Sequence, residues 1–102
     1  MVSQKTKGPN KLEAAFAAIL RAENPGIRIR EQSVTLLIAN GCRYTPDIFA
    51  VVAGQMTAWE TKGFLREDAA VKIKVAAKEW PEITFFLIWR RAGVWNRQRI
   101  LP

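Results

Sequence analysis

The hydrophobic pattern of the chain has a helical period in two places. Over about 11–23, after an N-cap residue at Asn10, one stripe is apolar: Leu12, Phe16, Ile19 and Leu20. Over about 66–80, which ends before Pro81, the apolar stripe is formed by Ala69, Ile73, Ala76 and Trp80. Both segments are therefore predicted to be amphipathic helices that pack on the rest of the fold by one face.

The other segments have the pattern of β-strands. Apolar and polar residues alternate over 27–38, and the pair Asn40-Gly41 that follows is typical of a tight hairpin turn. Further strands are predicted over 42–52, 56–63, 83–89 and 94–101. The element order α-β-β-β-α-β-β predicts an α/β fold with a mixed sheet flanked by helices.

A chain of 102 residues suits a single domain with a modest core. The first residues are polar and include Lys5 and Lys7, so we expect a flexible basic arm over 1–9 and a folded domain over 10–102. No apolar run reaches the roughly 18 residues of a membrane span, and the N-terminus lacks the apolar core of a secretory signal. We therefore expect a cytoplasmic protein that does not bind membranes.

Two residue types limit the possible chemistry. Cys42 is the only cysteine, and the chain has no histidine. These counts exclude a zinc finger of thiolates and imidazoles, a Ser-His-Asp triad and a Cys-His pair. Any metal site must use oxygen ligands, which suit Mg²⁺, Mn²⁺ or Ca²⁺.

The charge balance indicates the class of partner. Sixteen Lys and Arg residues stand against nine Asp and Glu residues, for a formal net charge of +7. A small domain with this charge attracts polyanions, most often nucleic acid, although a basic protein without such a partner is the alternative.

Three charged residues are predicted to converge on two neighbouring strands. Asp47 follows Pro46, and Glu60 and Lys62 share one face of the next strand because they are two residues apart. The turn at 53–55 places Asp47 and Glu60 near the same end of the strand pair. Adjacent carboxylates repel each other, and a divalent cation between them offsets that repulsion. The alternatives are a solvated turn at Asp47 and a solvated strand face at Glu60 and Lys62.

The residues Pro46-Asp47 and Glu60-Thr61-Lys62 resemble the motif of the PD-(D/E)XK nuclease superfamily. The similarity extends through "YTPDIF", "WETKGF", the acidic pair Glu67-Asp68, the lysine-rich helix and "EWPEITFFLIW". Over about residues 10–90 the chain resembles phage endonuclease I, a family that resolves Holliday junctions and other branched DNA. The resemblance implies a restriction-endonuclease-like fold with an αβββαβ core.

The resemblance also implies a mechanism. Asp47, Glu60 and the backbone carbonyl of Thr61 would bind one or two Mg²⁺ ions, for which Mn²⁺ could substitute. Lys62 would orient or help to deprotonate the attacking water, or would stabilise the developing charge. The residues leave these roles of Lys62 open.

Members of the family carry a further acidic residue on the first helix, for which Glu13 and Glu23 are the candidates. Glu13 lies at the edge of the apolar stripe, where it can face the sheet, whereas Glu23 lies at the end of the helix. We choose Glu13 as a catalytic residue and metal ligand. The spacing Asn10-x-x-Glu13 also fits a capping box, which is the alternative.

Basic residues near the motif are the predicted DNA contacts. Arg43 and Arg66 flank the motif strands and are the stronger candidates for phosphate contacts. The weaker candidates lie on the second helix and the last strand: Lys72, Lys74, Arg97 and Arg99. Their alternatives are a solvated helix face and an edge strand charged against aggregation.

The sequence thus predicts a metal-dependent endonuclease for branched DNA. From the resemblance we also expect a homodimer and a phage or prophage source. Two other functions remain open: a flap, single-strand or general DNA nuclease with the same chemistry, and a nucleic-acid-binding module without catalysis.

Overall fold

Two helices and two sheets form the part of the chain that the computed structural model describes, residues 11–62 and 67–102. The helices are α1 (Lys11–Glu23) and α2 (Glu67–Glu79). The strands are β1 (Arg30–Glu31), β2 (Leu36–Ala39), β3 (Cys42–Tyr44), β4 (Ile48–Val52), β5 (Gln55–Thr61), β6 (Thr84–Arg91) and β7 (Val94–Ile100). The arm predicted over 1–9, the N-cap at Asn10 and the candidate phosphate contact Arg66 lie outside the described residues.

The larger sheet has five strands in the order β1-β4-β5-β6-β7. β5 and β6 are parallel and are connected through α2, whereas every other neighbouring pair in this sheet is antiparallel. β2 and β3 form a separate two-stranded hairpin. The predicted α/β fold with a mixed sheet and two helices is therefore confirmed.

The prediction of a single strand over 27–38 is wrong. Only Arg30–Glu31 pairs with β4, and Gln32 directly after it has a left-handed φ of 52°. Because a left-handed residue breaks the extended path of a strand, the chain leaves the larger sheet at this point. It pairs again at Leu36–Ala39, in the β2–β3 hairpin.

The prediction of a single strand over 42–52 is also wrong. β3 ends at Tyr44 and β4 begins at Ile48, with Pro46 in the gap between them. Proline has no backbone N–H to donate to a strand ladder, so pairing is interrupted here. The turns predicted at Asn40-Gly41 and around Gly54 are confirmed.

The two faces of the larger sheet are covered by different elements. α1 packs on one face through a cluster of buried side chains: Phe16, Ala17, Leu20, Ile48, Ala50, Trp59 and Ile88. α2 and the β2–β3 hairpin pack on the other face through Leu36, Ile38, Tyr44, Ala58, Ile73, Ala76, Ala77, Ile83 and Phe85. Trp59 and Ala58 belong to opposite clusters because neighbouring strand residues point to opposite faces. β5 is therefore a central strand buried on both sides.

Neither α1 nor α2, the helices of the described residues, is long and apolar enough to cross a membrane.

Candidate active site

Asp47 lies at the point where the pairing of β4 with β5 ends. The last paired residues are Ile48 and Trp59, and Asp47 precedes this pair with only 3% of its surface exposed. Its Oδ2 atom accepts hydrogen bonds from the backbone N–H of Thr61 at 2.8 Å and from the Thr61 hydroxyl at 2.7 Å. The carboxylate thus takes the place of a backbone carbonyl at the end of the ladder, and the solvated-turn alternative for Asp47 does not match its burial.

Glu60 occupies the position of β5 that follows Trp59, opposite Asp47 in the continued register. It is 5% exposed, and its Oε1 atom accepts a hydrogen bond of 2.7 Å from the hydroxyl of Tyr44. The two strand carboxylates therefore stand side by side at one end of the β4–β5 pair, as the sequence predicts, and the solvated-face alternative does not describe Glu60.

Tyr44 is buried at the end of β3, and both strand carboxylates affect its ionisation. Burial raises the pKa of the phenol well above its ordinary value, and the negative charge of Glu60, its hydrogen bond and the charge of Asp47 raise it further. The phenol therefore stays protonated at neutral pH and remains a donor to Glu60.

Glu13 is buried on α1, with 4% of its surface exposed, near the sheet-facing side chains Phe16 and Ala17. Its Oε2 atom accepts a hydrogen bond of 2.9 Å from Nε2 of Gln32. The backbone N–H of Gln32 donates in turn to the backbone carbonyl of Asp47 at 3.0 Å. One residue thus connects the first-helix acid to the start of β4.

Glu23, the other candidate on α1, lies in a different place. It is exposed at the C-terminal end of the helix and accepts hydrogen bonds from Nη2 of Arg97 at 2.8 and 2.7 Å. The choice of Glu13 as the acid that faces the sheet agrees with this geometry. Whether Glu13 also forms a capping box depends on Asn10, outside the described residues.

Lys62 follows β5 and is exposed to solvent. Its backbone N–H donates to the carbonyl of Ile88 at 2.7 Å, which continues the line of β5 next to β6. Its Nζ atom lies 5.3 Å from the ring centroid of Trp89, a cation–π contact with the neighbouring strand. The ammonium group is thus held at the open end of β5, where a solvent-borne anion can reach it.

The donor set of this end of the sheet suits a hard cation. Within residues 11–62 and 67–102, no three Asp, Glu, Cys or His side chains are arranged so that they could hold a metal ion together. Glu13, Asp47 and Glu60 therefore do not form a three-carboxylate site. Mg²⁺ needs fewer protein ligands, because it binds through one or two carboxylates and keeps waters or phosphate oxygens in its other positions. Asp47 and Glu60 meet that requirement.

The predicted DNA contacts divide into two groups. Arg97 is held by Glu23 and lies over Phe16, with its guanidinium carbon 5.0 Å from the ring centroid, so this side chain fastens β7 to α1. Lys74 and Arg99, together with Lys78, line an open cleft of about 370 Å³ between α2 and the C-terminal residues. This cleft brings three cations to one surface.

Two further predicted contacts are adjacent in space. Arg43 is exposed on β3, and its backbone carbonyl accepts a hydrogen bond of 3.3 Å from Nζ of Lys72. The β2–β3 hairpin and α2 therefore present basic side chains beside each other.

Sequence reasoning missed three side chains that contact the predicted site: Tyr44, Gln32 and Trp89. Tyr44 stands three residues before Asp47 in a segment that reads as one continuous strand, so its role depends on the break at Pro46. Gln32 falls inside a segment predicted as a strand, where nothing marks a turn. The position of Trp89, next to Lys62, follows only from the parallel register of β5 and β6.

Comparison of the chain with protein-family models, with curated proteins and with solved structures finds no match in any of the three.

Proposed function

We propose that this protein is a Mg²⁺-dependent DNA endonuclease that hydrolyses phosphodiester bonds. The observation that supports this most strongly is the pair of buried carboxylates, Asp47 and Glu60, at the end of two adjacent strands, with the exposed ammonium group of Lys62 beyond them. Burying two carboxylates side by side is costly in free energy, and a bound cation offsets that cost. The net charge of +7 favours a polyanionic substrate.

Each residue of the site has a role in the proposed reaction. Asp47, Glu60 and the Thr61 carbonyl would hold one Mg²⁺. Glu13, which does not join Asp47 and Glu60 in a three-carboxylate site, would complete the shell of a second ion. When bound, Mg²⁺ supplies Lewis acidity toward a phosphate and acidifies water, and Mn²⁺ can provide the same chemistry.

Two side chains around the carboxylates, Tyr44 and Lys62, have further roles. The Tyr44 hydroxyl holds one oxygen of Glu60 by its hydrogen bond, which fixes the carboxylate orientation. Lys62 faces the open end of β5, where its charge either orients the attacking water or offsets the negative charge that develops on the phosphate.

The finer assignment is a branched-DNA nuclease with a restriction-endonuclease-like αβββαβ core that works as a homodimer in the cytoplasm of a phage or prophage host. It is supported by the resemblance of residues 10–90 to phage endonuclease I.

Cleavage of a DNA panel tests the proposal. The purified protein is incubated with a four-way junction, a flap, a nicked duplex, an intact duplex and a single strand, with Mg²⁺, with Mn²⁺ and with chelator. We expect metal-dependent cleavage that is fastest on the junction, and at least about 100-fold slower cleavage by Asp47→Asn, because a metal ligand is lost. Cleavage that survives Asp47→Asn, or no cleavage with either metal, contradicts the proposal.

The basic cleft of Lys74, Lys78 and Arg99 supports a second candidate, a DNA-binding module without catalysis. Binding to the same panel distinguishes the two functions. A nuclease variant Asp47→Asn should bind DNA at least as tightly as the wild type, because a negative charge near the phosphates is removed. Salt-dependent binding without any metal-dependent cleavage would instead support the binding module.

A further inference from the structure

We propose that Arg28 and Arg30 bind the phosphodiester backbone of DNA beside the candidate active site. Together with the edge of β4 they line a cleft of about 140 Å³, which we call the β1 cleft: Arg28, Arg30, Phe49, Ala50 and Val51. The inference rests on the proposed function for the identity of the polyanion. It adds a contact with that substrate outside the carboxylates.

The extended chain before β1 directs both arginines to one side. Ile27 and Ile29 pack against the buried cluster under α1. Because alternate residues of an extended segment point to opposite sides, Arg28 and Arg30 face away from that cluster, and both are exposed. Two guanidinium groups therefore stand on the same side of the chain.

The strand register relates these arginines to the carboxylates. Arg30 lies opposite Phe49, which in turn lies opposite Ala58 of the cluster under α2. Asp47 precedes Phe49 by two positions, so Arg30 shares its face of the sheet and is displaced from it by roughly 7 Å along the strand. Arg28 lies two residues farther from Asp47 in the same direction. The two cations thus continue away from the candidate site along the β1 edge of the sheet.

The charge of the two arginines is not offset by neighbouring groups. Within residues 11–62 and 67–102, neither guanidinium group forms an ion pair or a hydrogen bond. Glu31, the acid next to Arg30, lies opposite Ile48 of the cluster under α1 and so belongs to the other face of the sheet. Both cations are therefore available to an anion from solvent.

The β1 cleft combines these cations with apolar surface. Phe49 is half-buried, and Val51 is 55% exposed. A DNA backbone presents apolar deoxyribose surface between anionic phosphates, and the planar guanidinium group of arginine binds a phosphate through two parallel hydrogen bonds. The chemistry of the cleft thus matches a DNA strand that leaves the carboxylates past the β1 edge.

Charge-removing and charge-keeping variants test this contact. Arg28→Gln, Arg30→Gln and their combination remove the charges, whereas Arg28→Lys and Arg30→Lys keep them. Arg21→Gln is the matched control, because Arg21 is exposed on α1, which packs on the opposite face of the sheet. Circular dichroism and size-exclusion chromatography check the fold and the solubility of each variant.

The first readout is affinity for a labelled four-way junction, measured by fluorescence anisotropy in chelator over a range of salt concentrations. We expect each glutamine variant to bind about 5-fold more weakly at 0.1 M salt, and the slope of log K against log salt to fall by about 1 per arginine. The lysine variants should keep the slope, and Arg21→Gln should bind within about twofold of the wild type.

The second readout is cleavage of the junction in Mg²⁺. Because the β1 cleft binds substrate and transition state equally, the glutamine variants should raise KM and leave kcat unchanged. A combined Arg28→Gln/Arg30→Gln variant with wild-type affinity and salt slope, or an equal loss in Arg21→Gln, overturns the inference while a cleaving wild type still supports the nuclease.

Exposed arginines at a sheet edge can instead prevent pairing with another chain. Glutamine variants that self-associate while their monomeric fraction binds DNA like the wild type would show that role and overturn the inference. A wild type that binds DNA through these arginines but cleaves with neither Mg²⁺ nor Mn²⁺ supports the contact and contradicts the proposed nuclease. A wild type that does not bind DNA overturns the contact.

Discussion

The two ends of α1 place acidic residues in opposite environments. Glu13 near the N-terminal end is 4% exposed and is hydrogen-bonded by Gln32, whereas Glu23 at the C-terminal end is exposed and paired with Arg97. Asp47 and Glu60 are also buried, and we refer to Glu13, Asp47 and Glu60 as the buried acids. Glu23 and Arg97 form the α1–β7 ion pair.

Buried and exposed charged residues differ in what they contribute to the free energy of folding. Burying a carboxylate opposes folding unless hydrogen bonds or opposite charges compensate, and Gln32, Thr61 and Tyr44 donate such hydrogen bonds to the three buried acids. An exposed ion pair costs little and contributes little, and it serves to fasten one element to another. Substitutions of the buried acids and of the α1–β7 ion pair test this difference.

The largest expected effect is on catalysis by the two classes of glutamate. Glu60→Gln keeps the shape of the side chain and removes its charge, so we expect DNA cleavage in Mg²⁺ to fall at least about 100-fold. Glu23→Gln is the matched control on the surface, and its cleavage rate should stay within about twofold of the wild type because it binds no metal. Equal losses in the two variants would remove the distinction between the two classes.

The next effect is on stability, through the hydroxyl that holds Glu60. Tyr44→Phe removes the donor to a buried charged acceptor, and we expect the free energy of unfolding at pH 7 to fall by about 1–3 kcal/mol in urea denaturation. Ser33→Ala is the control, because its exposed hydroxyl donates to the carbonyl of Glu31 and should contribute less than about 0.5 kcal/mol. An unchanged midpoint in Tyr44→Phe would show that Glu60 does not need this donor.

The raised pKa of Tyr44 makes the stability contributed by its hydroxyl depend on pH in the alkaline range. The pKa of Tyr44 is raised in the folded protein above its ordinary value of 10.0, so above pH 10 the unfolded chain loses a proton that the folded protein keeps. The free energy of unfolding then falls by about 1.4 kcal/mol per pH unit until the folded pKa is reached.

The advantage of the wild type over Tyr44→Phe should therefore be complete below pH 10 and shrink as the pH rises beyond it. Urea denaturation of both proteins at several pH values measures this difference. Because Tyr44 is the single tyrosine, tyrosinate absorbance reports its ionisation directly. A constant difference across the alkaline range would contradict the raised pKa.

The smallest effect is expected at the α1–β7 ion pair. Glu23→Ala, Arg97→Ala and the double variant form a cycle, and we expect a coupling free energy of about 0.2–1 kcal/mol that decreases with added salt. Arg97→Ala should cost somewhat more than Glu23→Ala, because it also removes the contact with Phe16. A coupling free energy well above 1 kcal/mol would contradict the view that this exposed ion pair contributes little to stability.

The sequence predicted the elements whose signals are local. Both helices follow from their apolar stripes, and the turns at Asn40-Gly41 and Gly54 follow from their composition. The two breaks in the predicted strands depend on longer-range partners. Proline can end a strand ladder or stand at the edge of a sheet, and the hydrogen-bonding partners on the neighbouring strand decide which of these applies to Pro46. The turn at Gln32 had no sequence signal at all, because tertiary contacts enforce its left-handed backbone.

The site was predictable to the extent that strand alternation and hairpin register determine it. These two rules are sufficient to put Asp47 beside Glu60, and helical periodicity is sufficient to prefer Glu13 over Glu23. The side chains that hold these acids come from other elements, Tyr44 from the β2–β3 hairpin and Gln32 from the end of β1. Their contacts depend on how separate layers pack, which no local pattern encodes.

The parallel pairing of β5 and β6 has a consequence for the order in which the protein assembles. Hairpins such as β4–β5 close over short stretches of chain, whereas β5 meets β6 only after the crossover through α2 is in place, as the pair Thr57 and Thr84 illustrates. Because closing a long loop is entropically costly, we expect the β4–β5 hairpin to form before the centre of the sheet is complete. Asp47 and Glu60 would then meet early, while still hydrated, and their desolvation would be a late step of folding.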